Sequence, residues 1–300
     1  MFLISILKKI IPLSIRKKRW ELQEDLSDYF LKKKIISCIK NDITSEDTRE
    51  VMSFLLKNPL SVFPYEFTRR YKHETITVYT DSVCDMKYVL YQDKRLYFKS
   101  DWDEEQIKIY YNGLLIEQDI DSPHRYEYRN FKVNDGDVVV DIGVAEGNFA
   151  LSVVERAKKI YLFEADKGWL PALEKTFAPW KDKIIIINKY VAVGNTSTEI
   201  SLDQYFHGMK IDFVKIDAEG AETKILNGGK KTIMNHNFLK IAVCTYHYQN
   251  DSSEIYEMLY SNNCHVDFSK GYMIYKYNND LMRPYLRRGL IRATKNNSIS

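Results

Sequence analysis

VVVDIGVAEGNFA, residues 138–150, is the stretch that decides the fold. A run of β-branched residues ends in an acid, Asp141. Two glycines, Gly143 and Gly147, follow within six positions, and a helical pattern over Asn148–Ala157 comes next. A strand that turns sharply through glycines into a helix is the opening of a βαβ unit. The pattern then repeats. IYLFE (160–164) precedes a helix near Leu170–Phe177, and KIIIIN (183–188) follows. IDFVKID (211–217) precedes a helix over Ala221–Met234, and LKIAVCT (239–245) precedes one over Ser253–Asn262. Short strands are expected around His265–Phe268 and Tyr272–Tyr275. Near-continuous apolar strands imply a sheet covered on both faces, hence an α/β fold with parallel strands. The hairpin-sized link Ser269-Lys270-Gly271 makes the last strand antiparallel.

Upstream of residue 135 the signal is different. Residues 1–60 read as helical, with Ile4, Leu7, Ile10 and Ile11 on one face and Leu22, Leu26, Tyr29, Phe30 and Lys33 continuing at similar spacing. Ser45 is placed to cap a short helix carrying Val51, Phe54 and Leu55, which Asn58-Pro59 stops. ITVYT, KYVLY and RLYFK within 75–100 read as strands, with a hairpin at Gln92-Asp93-Lys94, and 102–118 returns to a helical period. Residues 1–120 therefore form an accessory region of helices and a small β element. Residues 121–282 form the main domain, and 283–300 a basic tail.

The composition excludes several classes. With 300 residues, 45% hydrophobic and 28% charged, the chain is an ordinary globular one. Twelve Gly, seven Pro and 13% aromatics exclude collagen and wholesale disorder. No apolar run is long enough to span a bilayer, and MFLISIL is cut short by Lys8 and Lys9. Cys38, Cys84, Cys244 and Cys264 form no CxxC pair, which disfavours a zinc site or disulfide framework and suits a reducing cytoplasm. The net charge of +3 is uneven. Residues 1–20 hold six bases and 281–300 five, without an acid, which leaves 33 bases against 41 acids between them. That argues against a nucleic-acid binder. It fits ends that touch anionic lipid at the inner face of a membrane, or a phosphate-bearing ligand, and equally two solvated ends.

Asp141, Gly143 and Gly147, with Val144 and Ala145 between the glycines, lie where a ligand can approach main-chain N–H groups. Glu164 ends the second strand, followed by Ala165, and a carboxylate there can accept both hydroxyls of a ribose. Asn188 ends the third strand, on the adenine side. A nicotinamide fingerprint would place GxGxxG here, but Ala145 replaces the middle glycine and Asp141 would repel a pyrophosphate. An acid at that place suits a cationic ligand, directly or through water. S-adenosyl-L-methionine carries both a ribose and a cationic amino-acid end.

DIGVAEG (141–147), YLFEAD (161–166), SLDQYF (201–206), DFVKIDAEGAE (212–222) and CTYHYQND (244–251) together resemble the FkbM-type S-adenosylmethionine-dependent methyltransferases. SPHRY (122–126) and RPYLRRGLIRA (283–293) resemble segments of members found among glycan and surface-polysaccharide enzymes. The resemblance covers about residues 120–293. It implies a Rossmann-like seven-stranded methyltransferase sheet, and cofactor binding by Asp141, Gly143, Gly147 and Glu164. It also implies a glycan or small-molecule acceptor.

Methyl transfer to a hydroxyl needs alignment and a group that takes the hydroxyl proton. Asp217, Glu219 and His247 lie at the carboxyl edge of the sheet and are the candidate catalytic residues. Lys215, His124 and Arg125 are candidates for contact with the acceptor or cofactor. Glu222 reads as a helix cap paired with Lys215, and no ligand spacing demands a metal. An O-methyltransferase acting on a sugar hydroxyl is the leading reading. A nicotinamide oxidoreductase and a non-catalytic glycan- or membrane-binding module are the alternatives. The oligomeric state is not encoded in these motifs.

Overall fold

A computed structural model describes residues 13–40, 45–277 and 281–296. The expected helical face of Ile4, Leu7, Ile10 and Ile11 lies outside the described residues. The accessory region begins with helices α1 (Leu13–Lys40) and α2 (Glu46–Lys57), whose buried Ile35, Ile39, Val51 and Leu55 share one core. Ser45 caps α2 as expected. Its side chain accepts from the Thr48 N–H, and the Thr48 hydroxyl accepts from the Ser45 N–H. β1 (Tyr79–Thr80), β2 (Lys87–Tyr91) and β3 (Lys94–Tyr97) form an antiparallel sheet. Gln92 and Asp93 both hold positive φ in the β2–β3 turn, the geometry that matches strand twist in a two-residue hairpin. α3 (Glu104–Glu117) follows, capped by Asp103.

The main sheet is built from β4 (Val138–Ile142), β5 (Lys159–Phe163), β6 (Ile184–Ile187), β9 (Phe213–Ile216), β10 (Phe238–Cys244), β11 (Cys264–Phe268) and β12 (Leu290–Asn296). A small parallel pair, β7 (Tyr190–Val191) and β8 (Glu199–Ile200), stands apart from it. The order across the sheet is β11-β12-β10-β9-β4-β5-β6. β6, β5, β4, β9 and β10 run parallel, and β12 is antiparallel to both its neighbours. The seven-stranded, mostly parallel sheet with an antiparallel last strand is thus present. Chain order reverses between β4 and β9, which opens a crevice at their carboxyl ends.

Strand periodicity sorts the two faces. Val139, Ile160, Leu162 and Phe213 face a core shared with the accessory region, which also holds Leu96, Phe98 and Ile107. Val140, Ile142, Val214, Ile216 and Val243 face the other core. There they meet helices α6 (Leu202–Tyr205), α7 (Glu222–Gly228), α8 (Lys230–Asn235) and α9 (Asp251–Tyr260). α4 (Asn148–Val153) and α5 (Leu170–Phe177) lie on the first face, where the Tyr97 N–H of β3 donates to Thr176 Oγ1 of α5 at 3.0 Å. The accessory region therefore shares its core with the sheet.

Three expectations are corrected. The helix expected over Ala221–Met234 breaks at Gly228-Gly229, where the backbone packs so closely on the Ala192 carbonyl that a Cβ on Gly228 would lie 1.9 Å from its oxygen. The partner of β11 is β12, not a strand at Tyr272–Tyr275, which reaches only an isolated bridge from Met273 to Arg287. The segment 283–300, expected as a basic tail, supplies β12, inserted between β10 and β11. Its bases serve the fold. Arg287, Arg292 and Lys295 are buried and donate to the carbonyls of Tyr246, His247, Tyr126, Arg125 and Asn262. Among the described residues no helix is long and apolar enough to cross a membrane.

Candidate active site

Asp141 and Lys215 are register partners on adjacent parallel strands and point to the same face. Both are buried, and Lys215 Nζ lies 3.1 Å from Asp141 Oδ1 and donates to the Gly143 carbonyl at 2.6 Å. Burial pulls the Lys215 ammonium down, but Asp141 and Asp217 more than offset it and hold it above the usual lysine value. Asp141 is thus committed to Lys215. Burial still holds its carboxyl above the usual range, and it does not itself line the crevice, where a cationic ligand is expected to meet it directly or through water. Lys215, not Asp141, reaches the crevice.

The crevice is a cavity of about 670 Å³ over the carboxyl ends of β4, β5 and β9. Its floor is the loop Gly143–Glu146. Gly143 has φ +71°, and a Cβ there would sit 1.8 Å from the Asp217 carbonyl oxygen, so only glycine lets the ends of β4 and β9 approach this closely. Gly147 has φ +89° and packs on Phe177 and Leu173 behind the cavity. Val144 and Ala145 line it, and the Ala145 N–H donates to Glu164 Oε2 at 2.8 Å. Glu164 Oε1 accepts the Asp166 N–H at 2.7 Å. Two main-chain donors thus aim this carboxylate, and each oxygen keeps a lone pair for a ligand hydroxyl. Ala165 lines the cavity beside it. Asn188 does not, since its amide donates to the Glu164 and Ala165 carbonyls at 2.8 and 3.0 Å and braces that corner from behind.

The other end of the cavity is built around Asp217. The Tyr126 hydroxyl donates to Asp217 Oδ2 at 2.7 Å and the Tyr246 hydroxyl to Oδ1 at 3.4 Å. His124 Nε2 and His247 Nε2 stand 3.5 and 3.7 Å from its oxygens. Burial would raise the Asp217 carboxyl, but the hydrogen bond from His124 and the charges of His124, Lys215 and His247 hold it well below the usual carboxylate range. His247 is buried beneath it, with Nδ1 3.1 Å from Glu222 Oε1. Burial would lower its imidazole, yet Glu222, Asp217 and Glu219 push it up to about 9, so it is a cation at neutral pH. Glu222 also accepts the Ala218 N–H at 2.8 Å, a contact in the loop before α7 and not the helix cap the sequence suggests, and its ionic partner is His247 and not Lys215. Glu219, at φ +50°, stands 87% exposed at the mouth. Two groups of ligand-type atoms, His124 with Asp217 and Cys244, and Asp217 with Glu222 and His247, each lie within 4.8 Å.

His124 is buried between Tyr126 and Tyr246 and meets Asp217 rather than the open cavity. Arg125 turns away, donating to the carbonyls of Glu127 and Gln118. Sequence reasoning missed Glu117, Tyr110, Trp102 and Trp169, which line the cavity, and Tyr126 and Tyr246 at Asp217. Trp102 packs on Tyr110 and Trp169 at 4.9 and 5.3 Å between ring centroids, so the accessory region closes one wall. Only the helical period over 102–118 could have hinted at Tyr110 and Glu117.

The Methyltransferase FkbM domain matches residues 108–272, more than half of the chain. The chain belongs to the FkbM methyltransferase family. This FkbM chain is also 36% identical over 72 residues to the ribosomal RNA small subunit methyltransferase A of Bacillus cytotoxicus, a match covering 24% of each. Among solved structures it is similar to methyltransferase FkbM from Methylobacillus flagellatus KT, with TM-score 0.44 and 15% identity, over 63% of this chain and 54% of that one. It is similar as well to a Streptococcus mutans protein in complex with SAH, with TM-score 0.36 and 13% identity, over 62% and 97%. The chain thus spans about a quarter of the curated relative and about half of the FkbM structure.

Proposed function

We propose that the chain is an S-adenosylmethionine-dependent O-methyltransferase whose acceptor is a hydroxyl, that of a sugar in a glycan or surface-polysaccharide precursor. The observation that carries this is Glu164. Its carboxylate is aimed by the N–H groups of Ala145 and Asp166 into the cavity beside Gly143. That is the place and polarity a ribose needs at the switch point of such a sheet. Val191, Phe163 and Ile225 supply an apolar wall near it for a base. The adenosyl cofactor, when bound, supplies an activated methyl group on a sulfonium.

Asp217 is the group suited to the acceptor. Its carboxylate is fixed by two tyrosine hydroxyls and open enough, at 19% side-chain exposure, to accept a hydrogen bond from an alcohol. A low carboxyl pKa does not disqualify it as base. As the new C–O bond forms the oxygen becomes strongly acidic, and its proton passes to even a weakly basic carboxylate. His247, protonated and tied to Glu222, holds Asp217 in its charged form rather than acting as the base. The sugar reading is supported by Tyr275, which meets exposed Glu219 and packs edge-on against Tyr246 and Tyr277. Tyrosine faces with carboxylate acceptors suit a polyhydroxylated, uncharged ligand.

Calorimetric titration tests the cofactor. S-adenosylhomocysteine is expected to bind while NADH does not. Mass spectrometry of a cellular glycan extract incubated with the protein and methyl-labelled cofactor tests the acceptor. A gain of label only on protein or RNA overturns the sugar assignment.

A further inference from the structure

Of the cavity carboxylates that form no ion pair among the described residues, Glu117, Glu146 and Glu164, the most deeply buried is Glu146. Glu146 is 2% exposed, and it lines the cavity in the loop after β4. Its Oε2 accepts from the Tyr110 hydroxyl at 2.7 Å and its Oε1 from the Asn148 N–H at 3.4 Å. Among the described residues no Lys, Arg or His nitrogen lies within ion-pair distance of it. Glu117, from the last turn of α3, lines the same cavity, again without an ion pair. Asp141, near the end of β4, has Lys215 at 3.1 Å. A carboxylate withdrawn from water without a counter-charge is costly and tends toward its neutral form. Burial accordingly pushes the Glu146 carboxyl up to about 7, helped by the Glu117 charge and against the pull of the Tyr110 hydrogen bond and of the more distant Lys215 ammonium. The missing cation is one that a ligand can bring.

We propose that Glu146, oriented by Tyr110 and backed by Glu117, is the counter-charge for a primary ammonium group of the bound ligand, the amine at the amino-acid end of the adenosyl cofactor. This rests on the reading above that an adenosyl cofactor occupies the cavity. A carboxylate oxygen accepts N–H donors, which an ammonium offers and a sulfonium does not. Asp141, the acid nearest in sequence to this role, is already neutralised by Lys215. Tyr110 belongs to the accessory region, so α3 takes part in selecting the cofactor.

The test compares two ligands on the full chain. S-adenosylhomocysteine carries the amine, whereas 5′-methylthioadenosine keeps the nucleoside and lacks the amino acid. Glu146→Gln is expected to weaken S-adenosylhomocysteine about tenfold to a hundredfold, the worth of one charged hydrogen bond. Binding of 5′-methylthioadenosine should stay within twofold, which also reports that the variant is folded. Glu146→Asp should recover part of the loss. The parent should bind S-adenosylhomocysteine more tightly as pH rises from 6 to 8, with proton release, and Glu146→Gln should not. Equal effects of Glu146→Gln on both ligands, or none on either, overturn this inference alone. Failure of the parent to bind either ligand overturns the cofactor reading and this inference with it.

Discussion

The two ends of the cavity handle the same chemical group in opposite ways. Asp217 and Glu146 are both carboxylates drawn out of water. Asp217 has two histidines within 3.7 Å and two tyrosine hydroxyls on its oxygens. Glu146 has a single tyrosine hydroxyl and one long main-chain contact. Burial raises both carboxyls, yet the neighbouring cations win at Asp217 and hold it well below its usual range, whereas burial wins at Glu146. A charge that is already compensated can be held rigid and exposed to a neutral hydroxyl. A charge left uncompensated is a vacancy for a cation. The difference separates an end built for reaction from an end built for recognition.

Four changes would break or sharpen that contrast. Asp217→Asn should slow methyl transfer about 10²–10⁴-fold, the usual worth of a positioned base. S-adenosylhomocysteine binding should change less than threefold. If binding falls in parallel with turnover, Asp217 belongs to the recognition end and the division fails. Lys215→Met strands Asp141 without its partner, and a loss of about 3–5 kcal/mol is expected in urea unfolding. Replacing both, as Lys215→Met with Asp141→Leu, should recover most of it, and an unchanged midpoint in the single variant would show the pair to be unimportant.

The third change reads the lone charge through pH. A carboxyl raised to about 7 favours folding when protonated, so its contribution is complete below its ordinary value of 4.5 and is lost as pH rises through 7. Glu146→Gln should therefore gain on the parent by about 3 kcal/mol between pH 4 and pH 8. Parallel stability curves would mean that Glu146 is compensated after all. The smallest effect is expected from Tyr126→Phe, which removes one hydrogen bond to Asp217. Turnover should fall about tenfold with KM unchanged, and a change confined to KM would move Tyr126 to the binding side.

Periodicity alone places the strands, because alternation and β-branching are local properties. The run 138–150 locates the switch point, since an acid and two glycines there leave the chain few other conformations. DFVKIDAEGAE brings Lys215, Asp217 and Glu222 to the sheet edge for the same reason. The partners of those residues are decided by packing across long separations. Tyr110 meets Glu146 over 36 residues, Tyr126 meets Asp217 over 91, and His124 meets Tyr246 over 122. Spacing along the chain carries no trace of such contacts. The C-terminal bases illustrate the limit most plainly. By composition, 283–300 is a charged end. Only the sheet, with a place for one antiparallel strand between β10 and β11 and carbonyls beside it needing donors, turns Arg287 and Arg292 into supports of the backbone that carries Tyr246, His247 and Tyr126, and Lys295 into an interior brace of the fold.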